Sequence, residues 1–132
     1  MTYYVSQTIN GPYEAAVTAV REALASEGFG VITEIDIAKT MMTKLGVAFR
    51  PYVILGACNP ALAHEALLLE DKVCTMLPCN VIVQDIGEGR FEVAAIDPVA
   101  SMAAIDNPAL KVAAAGVADK LRAAITRLPS AG

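Results

Sequence analysis

The sequence predicts an α+β domain, and three observations predict it. The chain has 132 residues, enough for one ordinary core and too few for two, so residues 1–132 are expected to serve a single domain. Hydrophobic residues make up 55% and charged residues 18%, far from the composition that leaves a chain disordered. Strand-length runs rich in β-branched residues are interleaved with stretches whose apolar residues recur at helical spacing.

Residues 2–9 are β-branched and aromatic and read as a first strand, closed by Asn10-Gly11-Pro12. From Pro12, the apolar residues Tyr13, Ala16, Val17, Val20 and Leu24 mark one stripe of a helix that stops at Gly28. Residues 29–35 alternate, which places Phe29, Val31, Thr33 and Ile35 on one side of a second strand and Ile32 and Glu34 on the other. Asp36 caps a short helix over residues 37–45 that ends at Gly46.

Residues 52–57 (YVILGA) form a continuous apolar run of strand length, as expected of a central strand. Asn59-Pro60 then opens a helix to about Glu70, because Asn accepts from orphan amides and Pro fits the first helical position. Leu62, Ala66 and Leu69 are spaced to face the sheet. Residues 81–86 and 91–96 flank Gly87-Glu88-Gly89 and read as a hairpin. Asp97-Pro98 and Asn107-Pro108 repeat the cap-and-proline device, and the second opens the longest helix. Its stripe is Leu110, Ala113, Ala114, Val117, Leu121, Ala124, Ile125 and Leu128.

Composition also bounds function. With three Phe, four Tyr and no Trp, the core is built from small residues, and a large aromatic ligand platform is disfavoured. Ten Lys and Arg against fourteen Asp and Glu give a net charge of −4 with no basic run, so no nucleic-acid partner is expected. Residues 1–9 lack a basic leader, and no stretch approaches eighteen apolar residues, so a cytoplasmic location and no membrane partner are expected. Cys58, Cys74 and Cys79 are an odd set that argues for reduced thiols over a disulfide framework.

Two segments share a Cys-Asn pair: Cys58-Asn59, leaving a strand for a helix, and Cys79-Asn80, entering the next strand. These four residues are the candidate thiol or ligand site. Cys58 would precede the positive end of a helix macrodipole, which favours thiolate over thiol. A crossover could bring Cys79 to the same sheet edge, opening redox, sulfur-transfer or soft-metal chemistry; packing as a small hydrophobe is the plainer role of both. Cys74 reads as filler. His64, the single histidine, is the secondary candidate, although a solvated helix position is the plainer reading. The spacing of Cys58, His64, Cys74 and Cys79 matches no zinc pattern. A two-cysteine site for monovalent copper, with Met76 as a third donor, needs fewer ligands. No cofactor motif is present: Gly87-Glu88-Gly89 joins two strands and is no phosphate cradle, and the carboxylates Glu70, Asp71 and Asp85 read as solvated charges at element ends.

Residues 52–60 (YVILGACNP), Ala66-Leu67, residues 76–83 (MLPCNVIV) and Asp97-Pro98 together resemble the signature of domain-of-unknown-function family 302. The resemblance runs from about Val47 to Leu121. It implies a TBP-like β-α-β(4)-α arrangement, a curved antiparallel sheet of about five strands with helices on one face, to which this chain would add short helices at 36–45 and 59–70. It further implies a homodimer. The family's characteristic cysteines fall on Cys58 and Cys79, Cys74 lies outside the pattern, and no activity is carried over. The function expected is therefore a ligand- or partner-binding module, with a thiol redox or sulfur-transfer protein and a soft-metal binder as alternatives.

Overall fold

The computed structural model describes residues 2–131. Along the chain, β1 (Tyr4–Asn10), α1 (Tyr13–Ser26), β2 (Gly30–Asp36), α2 (Ile37–Leu45), β3 (Tyr52–Cys58) and α3 (Pro60–Leu69) are followed by a 3-10 turn (Val73–Thr75). Then come β4 (Cys79–Gly87), β5 (Arg90–Ile96), α4 (Pro98–Ser101) and α5 (Pro108–Arg127). The five strands form one antiparallel sheet in the order β1-β5-β4-β3-β2. β1 and β2 lie at opposite edges, so α1 carries the chain across the sheet between them. This is the β-α-β(4)-α plan with α2, α3 and α4 inserted.

The Asx devices act as their chemistry requires. Asp36, Asn59, Asp97 and Asn107 each accept from a backbone amide at the start of the helix they precede. Gly46 ends α2 in the left-handed region, with its amide bonded to the Met42 carbonyl. In the β4–β5 turn, Glu88 and Gly89 have φ of 59° and 70°, the signs a two-residue hairpin turn demands, and Asp85 Oδ1 accepts from the Gly87 amide.

α1 and α5 cover one face of the sheet. Leu55, Val81, Val83, Val93 and Leu121 are among the fully enclosed side chains there, packed with Val53 and with Val20 and Leu24 of α1. Every stripe residue predicted for α5 is buried or half-buried, and Ala118 joins them. A smaller cluster, Ala66, Val73, Met102, Leu110 and Ala114, lies under the start of α5. β1 is partly shielded at its outer edge: the Ala131 amide donates to the Thr8 carbonyl, and Gln7 Nε2 donates to the Leu128 carbonyl.

Three sequence expectations are corrected. The alternation in β2 breaks at a bulge between Val31 and Thr33, because one extra residue shifts a period of two by one. Val31 stays opposite buried Ala57, but Thr33 and Ile35 now face away from the helices and Glu34 faces toward them, opposite Leu55. The Arg21–Glu34 ion pair at 2.7 Å fixes that side. Next, α3 packs mainly on α5 and not on the sheet. Finally, Cys74 is exposed, since the tight turn directs Val73 inward instead.

Candidate functional site

β3 and β4 run antiparallel, and their last shared rung pairs Ala57 with Cys79. Cys58 is therefore one step along the ladder from Cys79, although 21 positions separate them in sequence. That step follows from geometry: neighbouring strands lie about 5 Å apart and residues about 3.3 Å along, which sets the two alpha carbons roughly 6 Å apart. The two differ in burial: Cys79 accompanies Ala57 into the core, 4% exposed, whereas Cys58 is half-buried at the point where β3 ends and α3 begins. All three cysteines are free thiols.

Both Cys58 and Cys79 border one cavity. It opens at the seam where the main core gives way to the smaller cluster beneath α5, and small side chains at Ala57, Ala63, Ala66, Ala113 and Ala114 leave the space unfilled. The empty space is about 480 Å³ to its open mouth, but water-sized atoms can centre in only about 40 Å³ of it. A water needs about 10–15 Å³ on that measure, so the cavity accepts a few small atoms or a slender apolar group and no ring system. Apart from the two thiols, Asn59 is its single polar side chain.

Asn59 has two contacts here. Its Oδ1 accepts from the Leu62 amide at 3.3 Å, capping α3, and its Nδ2 lies over Gly28. The thiol of Cys79 is pushed up to about 11, first by burial and second by the neighbouring charge of Cys58. At neutral pH Cys79 is thus a protonated, enclosed thiol, and Cys58 is the better exposed of the two.

The other candidates lie elsewhere. Asn80 follows Cys79 by one residue and so points to the opposite sheet face, where it borders a separate basin. His64 is exposed on α3 and does not line the cavity. Met76 is 38% exposed and also lies outside it. The third sulfur at the cavity belongs to Met102, 5% exposed, which the sequence did not single out; it lies just beyond α4 in a stretch without periodicity. Among the described residues no three His, Cys, Asp or Glu side chains cluster as a metal site, and no helix is long and apolar enough to cross a membrane.

No curated protein matches the chain. Among solved structures it is similar to the crystal structure of an uncharacterized conserved DUF302 protein from Bacillus stearothermophilus. The TM-score is 0.89 at 27% identity, over 98% of this chain and 100% of that one. The family model described as domain of unknown function DUF302 matches residues 5–128. With its five-stranded antiparallel sheet, its covering helices and that match over nearly all its length, the chain belongs to the DUF302 family.

Proposed function

We propose that the protein is a homodimeric binding module whose cavity receives a small, soft or slender apolar ligand at the thiols of Cys58 and Cys79. One observation carries the reading: two cysteines distant in sequence border the same otherwise apolar space, with one amide side chain, Asn59, at its wall. Such a site is mostly hydrophobic with few polar groups, the usual composition of a ligand pocket. Reduced thiols of this kind suit a cytoplasmic setting.

A thermal-shift series tests it, since a ligand that binds only the native state raises the unfolding temperature. Monovalent copper and short aliphatic thiols and acids are the probes, applied to wild type, Cys58→Ser and Ala113→Leu. Stabilisation of wild type that is lost in both variants is the expected result. A wild type unmoved by every probe overturns the reading.

Within this reading a soft metal is favoured by the Met102 sulfur, which gives the cavity three soft donors. Copper retained at full occupancy by Cys58→Ser removes that ligand set. Thiol redox chemistry, with Cys58 attacking and Cys79 resolving, has less support. The high proton affinity of Cys79 slows its thiolate attack.

A further inference from the structure

The Cys79-Asn80 pair divides across the sheet: Cys79 borders the thiol cavity, and Asn80 borders a basin on the face opposite α1 and α5. That basin, about 360 Å³, gathers Tyr3, Tyr4, Tyr52, Asn80, Gln84 and Glu92 around an apolar floor of Ile82 and Ala94. Its volume lies within the ~300–1,000 Å³ usual for small-molecule sites. Three of the four tyrosines of the chain are there. Tyr3 and Tyr4 form one corner, with ring centroids 5.1 Å apart and planes at 70°, and are 65% and 38% exposed.

Charge narrows the occupant. The lining carries one formal charge, Glu92. Gln84 is held from both sides: Arg50 Nε donates to its Oε1 at 2.9 Å, and its Nε2 donates to Glu92 Oε1 at 2.9 Å. Glu92 therefore has Arg50 beyond Gln84, and Arg90 two residues earlier on the same face of β5. An anion would meet a carboxylate with no cation in the lining, on a chain of net charge −4. A cation would meet two guanidinium groups beside that carboxylate. A wholly apolar occupant would take the amides and the carboxylate out of water unpaired. What fits is a neutral molecule with apolar ring faces and many hydroxyl groups, which is a carbohydrate: tyrosine faces cover its C–H surfaces while amide and carboxylate groups bond its hydroxyls. An open strand face is also where oligosaccharide-binding OB-folds hold their ligand.

Register sets the length. Tyr52, Gln84 and Glu92 form one row, and Tyr4 pairs with Ile96, four residues further along β5. Four residues at about 3.3 Å and three strand spacings of about 4.8 Å put Tyr4 and Tyr52 roughly 20 Å apart at their alpha carbons. An occupant that stacks at both corners is a short chain of rings. We propose that the basin binds a neutral oligosaccharide of about two or three units, stacked on Tyr52 at one end and on Tyr3 and Tyr4 at the other, with Asn80, Gln84 and Glu92 bonding its hydroxyls. The site lies across the sheet from the thiol cavity and is independent of the reading proposed for that cavity.

The chain has no Trp, so its emission comes from tyrosine, and three of the four sources line the basin. Fluorescence titration with maltotriose, cellotriose, triacetylchitotriose and glucose therefore reads the site directly. A saturable change with at least one trisaccharide is expected, with glucose about tenfold weaker or more, since a single ring forgoes one stacking contact. Glu92→Gln keeps the shape and removes the charged acceptor; it is expected to weaken binding about tenfold, the scale of one hydrogen bond to a charged group. Tyr52→Ala is expected to do the same through stacking, and Tyr13→Phe, at the tyrosine outside the basin, leaves the affinity unchanged. A wild type unmoved by all three trisaccharides, one that answers to spermidine or inorganic phosphate instead, or full affinity retained in both Glu92→Gln and Tyr52→Ala overturns the assignment.

Discussion

Gly28 and Asn59 meet where two turns cross: a side-chain carbon on Gly28 would lie 2.9 Å from Asn59 Nδ2, and Gly28 holds φ at +86°. The residue that ends α1 and the residue that starts α3 are thus fitted to each other beside the cavity. Asn59→Ala removes the cap and is expected to cost about 1 kcal/mol. Gly28→Ala adds a left-handed penalty of about 1–2 kcal/mol to the collision and is expected to cost more. Urea unfolding checks both, with lower midpoints and unchanged slopes.

Cys79 makes stability depend on alkaline pH. Its folded pKa, raised to about 11 from an ordinary 9.0, means that the native thiol keeps its proton where the unfolded one has lost it. The sign follows directly. The contribution is fully present below pH 9 and is lost as pH rises toward 11, up to about 2–3 kcal/mol. Chemical denaturation between pH 8 and about 11 should show this fall, and Cys79→Ala should flatten it relative to wild type.

The backbone at Glu88 is left-handed, with φ 59°. Asn tolerates that region far better than Glu, and Asn-Gly is the preferred pair for such a turn. Glu88→Asn is therefore expected to stabilise the protein by about 0.5–1 kcal/mol. A higher midpoint in thermal unfolding, with the same circular dichroism spectrum, checks it.

A methyl group at Gly56 would collide with Thr33 Oγ1 and lie 2.9 Å from Pro78 Cγ. Overpacking of this kind costs about 1–3 kcal/mol. Gly56→Ala should lose stability on that scale, and adding Thr33→Ala should restore part of it. The two substitutions share one space and so should not add. A double-mutant cycle by urea unfolding measures the coupling.

Much of the fold was legible because caps and periodicities are local. Asp36, Asn59, Asp97 and Asn107 each start the helix their neighbours promise, and α5 buries its stripe from Leu110 to Leu128. What escaped was decided by single residues or by distant ones. The bulge in β2 reverses Ile35 and Glu34, and nothing in the seven residues announces it. The neighbourhood of Cys58 and Cys79 depends on β3 and β4 sharing the rung at Ala57, which is a fact of pairing and not of spacing. Separating Asn80 from Cys79 was within reach, since a strand that buries one residue turns the next away. Met102 was not, because an irregular stretch carries no period to read.

The ladder between β1 and β5 joins Tyr4 to Ile96 and Asn10 to Arg90. A ribosome therefore releases the first strand long before its sole neighbour exists: at about 5–20 residues per second, the roughly 90 intervening residues take on the order of 5–20 s to emerge. Through that interval Val5 and Ile9 belong to an extended apolar segment with nothing to zip against. The nascent chain thus carries an unpaired β1 for that whole interval, and the sheet is sealed at that margin only after β5 has emerged.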